Sequence, residues 1–147
     1  MQNGDPRRIL MAGAPTSVLQ RVPLFADLDP AELAEVARLF KERRFSEGET
    51  VIREGSGGAA FFLVEEGTAS VSVRGRERGR LEAGDYFGEV ALIDEGARTA
   101  TVVAETDLLC HGLTYWDFRP LVQENAAMCW KLLESLAKKL RAAHEDL

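Results

Sequence analysis

The sequence predicts a mainly β domain, a sandwich or barrel of short strands, bracketed by an N-terminal helical element and a long C-terminal helix. Three observations carry that class. Ten of the 13 glycines fall between Gly48 and Gly96 at turn-like intervals, with short β-rich runs between them. Apolar residues at helical spacing occur on either side of that region. Strand and helix patterns do not alternate through the middle, which disfavours a dinucleotide-binding α/β fold.

Residues 1–16 carry Gly, Pro, Asn and Asp without periodicity and read as a loose segment. The domain is expected over 17–147, beginning with a helical element at 17–41. Val22-Pro23-Leu24-Phe25 is an apolar turn. Asp29 is placed to cap a helix, Pro30 suits its first position, and Glu32 sits in its first turn. Leu33, Val36, Ala37 and Phe40 then mark one buried face. The β region is expected over 42–113, with strands near 50–53, 61–64, 69–73, 100–104 and 108–113. Val71 and Val73 alternate with Ser70 and Ser72, as in a half-buried strand. Gly55-Ser56-Gly57-Gly58 reads as a tight turn. It lacks the Lys-Ser/Thr ending of a phosphate-binding loop and precedes a strand. The basic run 74–80 reads as a solvated hairpin tip.

Helices return over 114–147. Pro120 marks a helix start or a kink, and Asn125 a break. A long helix should then run to about Asp146. Val122, Ala126, Cys129, Leu133, Leu136, Leu140, Ala143 and Leu147 follow one another at alternating steps of four and three. That is a heptad seam, and it points to a two-helix homodimer. A helix packed on its own β domain would also carry an apolar stripe, so both readings stand.

Composition narrows the function. A chain of 147 residues fits one core. No apolar run approaches a membrane span and no signal-peptide pattern opens the chain, so a cytoplasmic protein without membrane contact is expected. The net charge of −6 argues against nucleic acid as the main partner. Two cysteines, Cys110 and Cys129, are too few for a disulfide framework and read as buried thiols. There is no nucleophile elbow, and the two histidines, His111 and His144, lie in different elements. Cys110 and His111 are neighbours on one strand and point to opposite faces, so they make no metal site. The chain is expected to be neither an enzyme nor a metalloprotein, and to hold no cofactor.

One stretch has the right chemistry for a ligand: FGEVALIDEGARTATV, residues 87–102. A short helical turn after Gly88 would leave its first amides free and favour an anion. Gly88 allows close approach to the backbone. Arg98 can return to the same place, and its planar fork suits a phosphate with two free oxygens. Thr99 adds an amide and a hydroxyl. Glu89 could accept a hydrogen bond from a sugar hydroxyl beside that phosphate. A Glu–Arg pair on a surface loop is the competing explanation.

The same stretch closely resembles the phosphate-binding cassette of cyclic-nucleotide-binding domains, with its FGE-(L/I)-AL opening and R-(S/T/A)-A close. Its flanks match as well. Val22-Pro23-Leu24-Phe25 resembles the family's N-terminal helical element. Arg53-Glu54-Gly55, Phe62-Leu63-Val64 with Gly67, and Leu81-Glu82-Ala83-Gly84-Asp85-Tyr86-Phe87-Gly88 resemble its strands and the approach to the cassette. The resemblance covers about 18–146 and implies an eight-stranded jelly-roll-like β-barrel with flanking helices. It implies a sensor for cAMP, with cGMP as the alternative. Arg98 would hold the cyclic phosphate and Glu89 the ribose 2′-hydroxyl. Gly88, Val90, Ala91, Leu92, Thr99 and Ala100 would complete that wall. Val71 and Val73 would line the base pocket, with Leu136, Leu140 and His144 as lid candidates on the long helix. Ser56 and Ala59 stand where the family often has acidic residues, which bears on turn packing. No helix-turn-helix or other output module is present. The resemblance therefore implies a standalone sensor if 147 residues are the whole protein, and the sensor part of a regulator otherwise.

Overall fold

The computed structural model describes residues 14–56, 60–88, 91–94 and 98–144. Eight strands form two four-stranded antiparallel sheets. The strands are β1 Lys41–Phe45, β2 Thr50–Ile52, β3 Ala60–Glu66, β4 Ala69–Val73, β5 Arg76–Leu81, β6 Tyr86–Phe87, β7 Thr101–Ala104 and β8 Leu108–Thr114. One sheet has the order β1-β8-β3-β6 and the other β2-β7-β4-β5. The fold is thus mainly β and jelly-roll-like, with flanking helices. The expected barrel is not closed: among the described residues no strand pairing joins the two sheets, and the strands stack as a sandwich.

All five expected strands form, with ends shifted by at most two residues. Three strands were not expected. β1 is charged along most of its length and buries only Phe45. β5 is an exposed edge strand, and β6 has two residues. The basic run is therefore mostly strand; only Arg74 and Gly75 turn. Both have positive φ, 54° and 78°, which makes a two-residue hairpin turn of the mirror-image class. Arg74 is the one non-glycine with positive φ among the described residues. That conformation costs an L-residue about 1 kcal/mol.

The helices are α1 Thr16–Leu19, α2 Pro30–Ala37, α3 Ala91–Asp94, α4 Tyr115–Gln123 and α5 Ala126–Ala143, with a 3₁₀ turn at Pro23–Phe25. Helix α2 starts as the sequence predicts. The Asp29 carboxylate accepts from Glu32 N–H at 2.8 Å, and the Glu32 carboxylate accepts from Asp29 N–H at 2.9 Å. Pro120 lies inside α4, not at its start. Thr114 caps α4 by accepting from Asp117 N–H at 3.1 Å, and Asn125 caps α5 by accepting from Met128 N–H at 3.1 Å.

Two apolar clusters result. Strand β3 serves both, because successive residues point to opposite faces. Phe61 and Leu63 join Leu113, Phe25, Phe40, Phe118, Met128 and Leu132 between one sheet and the helices. Phe62 and Val64 join Phe45, Ile52, Ala69, Val102, Leu108 and Cys110 between the two sheets. Phe61 meets Phe25, Phe40 and Tyr86 edge-on, at ring separations of 5.8–5.9 Å.

Candidate functional site

Strand β6 ends at Phe87, and Gly88 follows with φ +87°, a conformation that favours glycine. A side chain there would also collide. A Cβ on Gly88 would lie 2.8 Å from the Ala60 carbonyl oxygen and 2.8 Å from Arg98 Nη1. Gly88 and Arg98, ten positions apart, are therefore in direct contact. The Arg98 backbone is pinned on both sides. Gly55 N–H donates to Arg98 O at 2.8 Å, and Arg98 N–H donates to Ser56 O at 3.1 Å. Its guanidinium donates through Nη2 to the Ala60 carbonyl. Partial burial pulls the Arg98 pKa down from its ordinary value, because desolvation disfavours the cation. The result is a half-buried guanidinium held through Nη2, with Nη1 beside the glycine turn.

Helix α3 supplies the other side. Leu92 is 1% exposed and belongs to the helix-side cluster, so its side chain anchors the turn and does not line an open site. Ile93 beside it is 42% exposed. Thr99 is exposed and Ala100 half-buried, both next to Arg98. Glu89 and Val90 lie outside the described residues, as do Gly57, Gly58, Ala59 and Leu147. Ala91 is the first residue of α3.

The base-pocket candidates are not brought together. Val71 packs on the cluster between the sheets, and Val73 is half-buried one step further along β4. Leu136 packs on the other cluster, between sheet and helices. Leu140 is 62% exposed, and His144 is exposed at the end of α5. The seam candidates behave in the same uneven way. Cys129 and Leu136 are half-buried against the domain, while Leu133, Leu140 and Ala143 face outward. The face of α5 that packs inward is Met128, Leu132 and Ser135, one stripe around the helix from the seam.

Beside that inward face runs a polar stripe that sequence reasoning missed. Lys131 donates to Glu32 at 2.6 Å and lies 4.0 Å from Asp29. Lys138 donates to Asp27 at 2.9 Å, and Ser135 Oγ lies 3.5 Å from the same carboxylate. The spacing of 131, 135 and 138 was visible on the helix. Their acidic partners, about 100 residues earlier, were not. The hydrogen bond from Lys138 holds the Asp27 carboxyl below its usual range, and the bonds to Glu32 and Asp27 raise Lys131 and Lys138.

The cysteine and histidine geometry follows the strand rule. Cys110 is buried between the sheets, which pushes its thiol up to about 12. His111 points the other way and bonds Glu65. Cys129 is only half-buried, not fully buried as expected. No described helix is long and apolar enough to cross a membrane.

Comparison with known proteins converges on one family. Residues 42–125 match the family described as "Cyclic nucleotide-binding domain". A cAMP-dependent protein kinase regulatory subunit of Aspergillus niger is 40% identical over 111 residues, which is 69% of this chain and 27% of that one. This chain thus spans about a quarter of that relative's length. Among solved structures, the N-terminal domain of a transcriptional regulator from Streptomyces coelicolor A3(2) superposes with a TM-score of 0.77 at 32% identity, covering 87% of this chain and 95% of that one. The Thermus thermophilus catabolite activator protein gives 0.65 at 31% identity, covering 84% and 61%. With the glycine–arginine contact at its centre and these relatives on both sides, the chain belongs to the cyclic nucleotide-binding domain family.

Proposed function

We propose that the domain is a regulatory sensor that binds a cyclic nucleotide, with cAMP as the first candidate and cGMP as the alternative. The observation that supports this reading is the Gly88–Arg98 contact. A half-buried guanidinium, pinned through its own backbone, faces a turn where no side chain fits. In this reading Arg98 holds the cyclic phosphate, helped by the amides of Gly88, Ala91 and Thr99. Glu89 accepts from the ribose 2′-hydroxyl, and Val71 and Val73 approach the base. The lid candidates Leu136, Leu140 and His144 would reach the base only in another posture of α5. The sensor would therefore signal by population shift, with nucleotide favouring that second posture. The protein would work in the cytoplasm, without catalysis and without contacting nucleic acid or membrane through this domain.

Isothermal titration with cAMP, cGMP and their 2′-deoxy forms tests it. Arg98→Ala should weaken binding by roughly 2–4 kcal/mol, because a charge-assisted bidentate contact is lost. Absence of heat with both nucleotides overturns the reading. A 2′-deoxy ligand that binds equally well removes Glu89 from its role.

A second reading is supported by α5 itself: Trp130, Leu133 and Leu140 are 64%, 51% and 62% exposed. In it the domain is a ligand-independent homodimer module. Leu140→Asp is a cleaner probe than Leu136→Asp, since Leu136 also packs on its own core. Sedimentation showing a dimer lost with Leu140→Asp, with or without cAMP, and no nucleotide binding, favours this reading. A third possibility, the sensor portion of a cAMP-responsive transcription regulator, draws support from the Streptomyces relative.

A further inference from the structure

Among the described residues the one non-glycine with positive φ lies at the β4–β5 turn, and a carboxylate accepts from its amide. Arg74 has φ 54°, and its N–H donates to Glu54 Oε1 at 2.8 Å. A charged acceptor offsets part of the cost of that conformation. Glu54 is itself fastened at the backbone, its N–H donating to Thr101 Oγ1 at 2.9 Å. The next two residues, Gly55 and Ser56, are those that pin Arg98. Strand register places the same residues at one end of the second sheet, since Ser72 pairs with Thr101 and Val73 with Arg76. Glu54 therefore touches three segments: the loop that fixes Arg98, the start of β7, and the turn that follows Val73.

We infer that Glu54 is a positioning residue that sets the separation between the phosphate-binding arginine, Arg98, and the base-facing residues Val71 and Val73. This rests on the nucleotide reading above. Glu54 touches no ligand; it acts through the Arg74 amide. When its side chain is removed, the turn loses its acceptor and Arg74 relaxes out of the left-handed region. Val73 then moves relative to Arg98, and the two halves of the site no longer fit one ligand. The phosphate contact survives, because the Gly55 and Ser56 bonds to Arg98 are made by backbone.

The test uses the full chain and four proteins: wild type, Glu54→Ala, Glu54→Gln, and Glu54→Ala combined with Arg74→Gly. Each is titrated with cAMP and cGMP, and circular dichroism checks that it is folded. Glu54→Ala should lose about tenfold in affinity, and the ratio of cAMP to cGMP affinity should change. Glu54→Gln keeps an acceptor and should stay within about threefold of wild type. The double variant should recover most of the affinity, since glycine adopts positive φ without the carboxylate. A general loss of stability would weaken binding of both nucleotides alike and leave the ratio of cAMP to cGMP affinity unchanged. Wild-type affinity and selectivity in Glu54→Ala overturns the positioning role while leaving the nucleotide reading intact. So does a loss that is equally large in Glu54→Gln and is not repaired by adding Arg74→Gly. Failure of the wild type to bind either nucleotide overturns both.

Discussion

Two helices, α3 beside the site and α5 on the helix-side core, are held in different ways. Helix α3 has four residues and is anchored by the almost fully buried Leu92. Helix α5 has eighteen residues. It is held by Met128 and Leu132 in the core and at its margin by the ion pairs of Lys131 and Lys138, with Ser135 Oγ 3.5 Å from Asp27 between them. An apolar anchor gives all-or-none attachment, because the side chain has no alternative partner in water. A stripe of exposed and half-exposed ion pairs gives graded attachment, because water and salt compete with each bond. The short helix is thus fixed while the domain is folded. The long helix shares that kind of anchor at Met128 and Leu132, and only its margin responds to water and salt.

Leu92→Ala should break this contrast most severely. It leaves a cavity in the helix-side cluster and should cost about 3 kcal/mol of unfolding free energy in a urea titration. A cost below about 1 kcal/mol would mean that α3 is not anchored as described. Lys131→Met should come next. It leaves Glu32, only 8% exposed, without its cation, so the thermal midpoint should fall, by less than for Leu92→Ala. Lys138→Met should have a still smaller effect, since both Lys138 and Asp27 face solvent. If Lys138 mattered as much as Lys131, burial would not be what ranks them.

The stripe also predicts a pH window. Asp27 is held below its ordinary value, so its contribution is present above the usual aspartate pKa and lost as pH falls through the lowered one. Lys131 and Lys138 are raised, so theirs is present below the usual lysine pKa and lost as pH rises through the raised values. In a Trp116→Phe background, Trp130 on α5 is the single tryptophan. Its fluorescence should be flat across neutral pH and change toward both extremes. High salt should narrow the flat region. A signal indifferent to salt would indicate that the ion pairs do not seat the helix.

How much of this was legible depended on whether a residue's role is carried by its side chain. The Asp29 cap was legible because that side chain itself makes the bond; the reciprocal bond from Glu32 was not read. That Gly88 and Arg98 come together was legible from a glycine and a long planar fork placed on either side of a short turn. The Ala60 carbonyl that receives Arg98 was not, since any residue presents the same backbone oxygen. Strand β1 was missed because four of its five residues are exposed; backbone pairing with β8 makes it a strand, and no alternation announces that. The seam was legible as a spacing, but spacing could not show that Leu136 belongs half to the domain while Leu140 does not. The lid candidates failed to converge for a related reason. A helix posture is a tertiary property, set here by acidic residues far away in the chain.

The two apolar clusters also differ in when they can form. Every residue of the cluster between the sheets lies from 45 to 110. The other cluster includes Phe118, Met128 and Leu132. During synthesis the sheet-to-sheet core has all its residues while the last helix is still being made. The helix-side core must wait, with Phe25, Phe40 and Phe61 uncovered, until the final turns arrive. Helix α5 thus completes the helix-side core of this domain, and a truncation before Met128 would leave a nearly complete sandwich with an aromatic face open to aggregation.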